Sequence, residues 1–104
     1  MTIPYNIKTI KKGAFWCCKE LSTVYWNATD CLIAGTADDP IFNLCLNLIN
    51  IKIDSNVRSL PNAVFAGCRS LTSIVIPNNV VNLGKNIFED CENLTNIVYE
   101  GTKK

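Results

Sequence analysis

Apolar residues along the chain fall into a pattern that returns at a fixed interval. Phe65, Cys68, Leu71 and Ile74 recur as Phe88, Cys91, Leu94 and Ile97, each displaced by 23 residues, and the same step backwards lands on Phe42, Cys45, Leu48 and Ile51. A further step finds Phe15, Cys18, Leu21 and Val24, now displaced by 27. The half-unit upstream repeats as well: Ile3, Ile7 and Ile10, then Ile53, Val57 and Leu60, then Ile76, Val80 and Leu83. The second unit breaks the rule, with residues 27–40 in place of that triplet. Self-similarity at such a period describes units that cannot bury their apolar sides alone and must stack on their neighbours as a solenoid.

Each unit predicts one short strand. Residues 21–26, 48–53, 71–76 and 94–99 are rich in β-branched and aromatic side chains that alternate faces, so they should align as one parallel sheet. The first, fourth and sixth positions point inward, which places Leu21, Val24 and Trp26, and likewise Leu71, Ile74 and Ile76, in the core. Thr23, Tyr25, Asn50, Lys52, Ser73, Val75, Asn96 and Val98 then face solvent on the sheet side. The return halves, residues 62–68 and 85–91 among them, read as one or two helical or 3-10 turns, held by packing because they are too short to stand on propensity. Pro61, Pro77 and Gly84 mark the corners, and no long helix is expected. The chain is one segment of about four units, residues 3–26, 27–53, 54–76 and 77–99, followed by a polar tail 100–104.

The unit I-P-x-x-V-x-x-[LI]-x-x-x-x-F-x-x-C-x-x-L-T-x-I resembles the leucine-rich repeat of BspA-like bacterial surface proteins over nearly the whole chain. Residues 24–31, followed by Pro40, Ile41 and Phe42, resemble an insertion variant of the same family. The resemblance implies an α/β-type repeat solenoid: a short right-handed leucine-rich-repeat coil with a parallel sheet on one face and short helical turns or loops on the other. It further implies a noncovalent protein-binding or adhesion role at the cell surface, or in a secreted product, as part of a longer bacterial protein. Trp16 and the Cys17-Cys18 pair depart from the unit, and residues 1–5 lack the basic and apolar regions of an export signal, which leaves a cytoplasmic location open.

Composition narrows the chemistry. A net charge of +1 supplies no broad attraction for nucleic acid or anionic lipid, and no apolar run reaches the length of a membrane helix. Histidine is absent, which removes the commonest general base and metal ligand, so an enzyme is disfavoured and no cofactor or metal is expected. Cys18, Cys45, Cys68 and Cys91 occupy equivalent positions and read as a column of buried free thiols, since no C-x-x-C pair offers a zinc site. Cys17 and Cys31 lie outside that column, and free thiols or a disulfide between them are both open. Asp30, Asp38 and Asp39 lack the arrangement of a calcium loop and read as solvated carboxylates. Asn27-Ala28-Thr29 and Asn93-Leu94-Thr95 match the glycosylation pattern, which three residues often do by chance.

The candidate binding surface is the ladder Tyr25, Lys52, Val75 and Val98 with its flanks Thr23, Asn50, Ser73 and Asn96. Such a strip is preorganised, although β-branched and small polar residues also simply suit exposed strands. Trp16 is the off-sheet candidate, either an interface anchor or a cover over residues 27–40. A protein partner is the first expectation, host extracellular matrix included, with carbohydrate second. A spacer with no ligand of its own is the alternative. Ile3, Ile7 and Ile10 at one end, and Leu94, Ile97 and Tyr99 at the other, are expected to be left uncovered, which would permit self-association.

Overall fold

The computed structural model describes residues 1–101, so residues 102–104 of the expected tail lie outside the described residues. Among the described residues nine strands follow one another: β1 (Thr2–Ile3), β2 (Thr9–Ile10), β3 (Thr23–Trp26), β4 (Ile33–Ala34), β5 (Asn50–Ile53), β6 (Ser59–Leu60), β7 (Ser73–Ile76), β8 (Asn82–Leu83) and β9 (Asn96–Tyr99). The odd-numbered strands form the front face and the even-numbered ones the back, all pairs being parallel. This is a leucine-rich-repeat solenoid of about four turns. The front strands begin two residues later than expected, because the leucine of each unit closes a turn instead: Leu21, Leu48, Leu71 and Leu94 donate their amides to the carbonyls of Cys18, Cys45, Cys68 and Cys91.

The helical turns expected on the return halves do not form, and backbone geometry gives the reason. Cys17, Leu44, Gly67 and Asp90, each just before a ladder cysteine, all have φ between 58° and 75°, and Gly13, Ala63 and Asn86 repeat the same conformation four residues earlier. A left-handed residue on either side of Phe15, Phe65 and Phe88, and after Phe42, breaks any helix into separate three-residue turns, such as Trp16 to Gly13 and Cys18 to Phe15. A Cβ at Gly67 would stand 2.7 Å from the side-chain oxygen of Asn43, whereas one at Gly13 would meet nothing within 4 Å. Gly13→Ala should therefore cost about 1 kcal/mol for its φ alone, and Gly67→Ala that cost plus a small shift of the Asn43 side-chain amide, by urea denaturation.

The front sheet is not continuous, contrary to expectation. β1, β3 and β5 form one sheet and β7 with β9 another; β5 and β7 lie side by side without pairing. Among the described residues, no backbone–backbone hydrogen bond joins residues 31–57 to the turn that follows. Two features account for this seam. The amides of Asn27, Asp54 and Glu100 each reach a carbonyl of the preceding turn, but the same position in the third unit is Pro77, which has no N–H. The insertion also shifts the back register: Ile10 pairs with Ala34 and Leu60 with Leu83, whereas Asp30 bridges to Ser59, a much longer step. Two side-chain bonds bracket the seam, Ser70 Oγ to the Leu46 carbonyl and Asn79 Nδ2 to the Ser55 carbonyl at 2.8 Å.

Apolar packing runs through the seam where hydrogen bonding does not. Phe15, Phe42, Phe65 and Phe88 stack in a column with ring centroids 5.5, 6.4 and 6.2 Å apart, and Trp26 meets Phe65 edge-on at 5.7 Å. Val24 and Trp26 are buried as expected, as are Leu71, Ile74 and Ile76, while Leu21 is half-buried. The Trp26 Nε1 is buried without a partner. At the first turn the expectation of an uncovered layer fails for Ile3 and Ile10, which are buried, while Ile7 is half-buried beside them; at the last turn Ile97 and Tyr99 are exposed and Leu94 is half-buried.

All six cysteines are free thiols. Cys45 and Cys68 are buried, while Cys18 and Cys91 at the ends of the column are half-buried, and Cys31 is buried outside it. Cys45 Sγ donates to the Phe15 carbonyl at 2.9 Å and Cys91 Sγ to the Phe65 carbonyl at 3.1 Å. Burial pushes the thiols of Cys31, Cys45, Cys68 and Cys91 up, Cys68 farthest, with the neighbouring Cys91 and Cys45 adding to the effect. Cys17 and Cys18 should accordingly react first with iodoacetamide in the folded protein, and Cys45 and Cys68 only after denaturation. A thiol raised above its unfolded value favours folding fully below that value, 9.0, and loses the contribution as pH rises beyond it, so the urea midpoint should fall between about pH 8 and pH 10.

Candidate functional site

The strand register sets the front face. Thr23 pairs with Asn50 and Tyr25 with Lys52, and on the other side of the seam Ser73 pairs with Asn96 and Val75 with Val98. Their neighbours Val24, Ile51 and Ile74 point into the core, which turns these side chains outward. Tyr25 is 45% exposed and Val75 46%, Thr23 is half-buried, and the rest are exposed. The eight sheet-face candidates thus form two ladders of four instead of one ladder of eight.

The seam brings four of them together. A cleft of about 450 Å³ opens between β5 and β7, lined by Asn50, Lys52, Ser73 and Val75. Ser55, Pro77 and Glu100, which the sequence reading did not select, complete its wall. A signal for Pro77 exists in the repeat alignment, since it stands where Asp54 and Glu100 supply an amide. The amides of Asn50 and Asp54 point to β3, so those of Ile51 and Ile53 point into the seam; Thr72 and Ile76 offer carbonyls to β9, so Ser73 and Val75 face the seam from the other side. The cleft therefore holds unpaired backbone donors and acceptors beside an amide, two hydroxyls, an ammonium and a carboxylate.

Other candidates fall elsewhere. Trp16 is 58% exposed and shares a shallow depression of about 260 Å³ with Lys12, Gly13 and Asp39, so it stands beside the insertion without covering it. The insertion itself turns Leu32 and Ile33 outward, 70% and 54% exposed. Leu32 lines a second groove of about 510 Å³ with Val81 and Leu83, an apolar patch missed by the sequence reading. Asn93 Nδ2 donates to the Arg69 carbonyl at 2.8 Å, as Asn47 Nδ2 does to Lys19 at 2.7 Å, so the second glycosylation match belongs to a stacking ladder. Among the described residues no three acidic or cysteine side chains converge as a metal site, and no helix is long and apolar enough to cross a membrane.

A family model, BspA type Leucine rich repeat region, matches residues 1–104 in six copies. The chain belongs to this BspA-type leucine-rich-repeat family. Its coil is similar to a solved structure, a leucine rich cell surface protein from Faecalibacterium prausnitzii A2-165, with 27% identity and a TM-score of 0.65. That likeness covers 99% of this chain and 32% of the other, so the chain spans about a third of that protein's length. No curated protein matches the chain. The BspA-type repeat accounts for the phenylalanine, cysteine and leucine columns, which are packing residues; the seam residues vary from turn to turn within it.

Proposed function

We propose that this BspA-type coil is a noncovalent interaction module of a bacterial surface protein, presenting its front face to a protein partner, host extracellular matrix included. The observation that carries the reading is the row of Tyr25, Lys52 and Val75, exposed side by side on strands whose backbone is already ordered. Binding there costs little ordering entropy, and Tyr25 supplies a rigid amphipathic anchor. The solved relative is a leucine rich cell surface protein, which supports a surface role. The repeat family and the solved surface relative support reading the chain as a non-catalytic repeat protein.

The test is surface plasmon resonance of the chain against a panel of matrix proteins, beside a Tyr25→Ala/Lys52→Glu variant with an unchanged circular dichroism spectrum. Saturable binding that weakens about 10-fold or more in the variant is expected, as befits loss of one aromatic anchor and one reversed charge. Equal binding by both proteins would move the site off the front face. No binding by either would favour the spacer.

A further inference from the structure

We propose that the seam between β5 and β7 is a subsite for a neutral oligosaccharide. This goes beyond the protein-binding reading and stands on a different observation, the unpaired strand edges inside the front face.

The first argument is complementarity. Ile51 and Ile53 on one wall and Ser73 and Val75 on the other turn both amides and carbonyls into the cleft. An occupant must both donate and accept at closely spaced points, or these groups stay with water. A sugar hydroxyl does both. The side chains agree with this: the Asn50 amide offers both polarities, and Ser55 and Ser73 offer hydroxyls.

The second argument is size. The cleft volume of about 450 Å³ lies within the range of roughly 300–1,000 Å³ usual for small-ligand sites, and at ~30 Å³ per water it replaces roughly fifteen waters. A polypeptide strand is the obvious rival, because strand edges pair with strands. It does not fit between these two: Cα atoms of β5 and β7 approach within 8 Å, whereas an intervening strand needs about 9.6 Å, twice the usual spacing; a sugar ring stays outside the same gap and lies over it, with only its hydroxyls reaching the edge groups.

The third argument is charge and apolar surface. Lys52 and Glu100 set one cation against one anion across the cleft, so the site has no net preference for an acidic or basic ligand. Val75 and Pro77 in the lining give the apolar face of a pyranose ring a surface to lie on, with Tyr25 one strand away beside Lys52. A neutral hexose chain meets all three conditions; a sialylated glycan or a charged peptide meets fewer.

The experiment titrates isotope-labelled chain with cellohexaose, maltohexaose and sialyllactose, following backbone amides by two-dimensional NMR, with Asn50→Ala/Ser73→Ala as the variant. Millimolar neutral hexaose should shift the amides of Ile51, Ile53, Ser73 and Val75 first. The variant, which changes only exposed polar side chains, should bind at least about 10-fold more weakly. An absence of shifts with both hexaoses, shifts centred away from these four amides, or equal shifts with sialyllactose would each overturn the proposal. Matrix-protein binding lost in Tyr25→Ala/Lys52→Glu, with no sugar-induced shifts, would overturn this inference alone and leave the protein-binding reading standing.

Discussion

Phe65→Ala should lower the folding free energy by about 3–5 kcal/mol, the usual cost of emptying a fully buried aromatic site. Phe65 touches the aromatic ring above it, the ring below it and Trp26, and it is wholly buried, whereas Phe15 and Phe88 at the ends of the column are half-buried. Its position sharpens the expectation. Across the seam the front strands of the second and third units are unpaired, and their backbones meet only at the back, where Arg58 and Ser59 donate to the Thr29 carbonyl, so the stack of Phe65 on Phe42 and Trp26 is a large part of what joins them. The same substitution at Phe88 removes less buried surface and should cost about 1–3 kcal/mol. In a chain this size the loss at Phe65 corresponds to a melting temperature lower by at least about 12 °C. A loss under ~1 kcal/mol, read from urea denaturation, would mean that the seam is joined by something other than this column.

The columns that carry this prediction were legible in the sequence because packing is what the repeat encodes. Phe42, Phe65, Cys45, Cys68, Leu48 and Leu71 all lie where a 23-residue period puts them. Two features were not legible. The left-handed corner before each ladder cysteine is occupied in turn by Cys17, Leu44, Gly67 and Asp90, and one glycine among four different residues does not announce a shared φ. The helical turns were expected for that reason. The seam depends on which residue lacks an amide at a single ladder position, and on a register shift imported by residues 27–40; hydrophobic periodicity reports neither. The outward-facing positions of the front strands were therefore legible, but their division into two ladders and the cleft between them came from backbone bonding alone.

The second large effect lies in the backbone itself. Amides of Asn50 and Asp54 donate to Ser22 and Trp26, while those of Ile51 and Ile53, on the same strand, point into the seam. Neighbouring residues of one strand should thus differ in protection, since an amide paired in a ladder exchanges only when that ladder opens and an amide facing a solvated cleft does not wait for it. The expected contrast is about 100-fold or more. Pro77→Ala restores a donor opposite the Ile53 carbonyl and should narrow the contrast, provided the restored bond forms as its counterparts at Asp54 and Glu100 do.

The central claim is that the front face is two hydrogen-bonded sheets joined by an apolar core, with the cleft between them as the site. Residue-resolved hydrogen exchange tests it most directly. Fast exchange at Ile51, Ile53, Ser73 and Val75 beside slow exchange at Asn50, Lys52 and Asp54 is the predicted result. Uniformly slow exchange across β5 and β7 would show one continuous sheet, and would contradict both the seam and the site built on it.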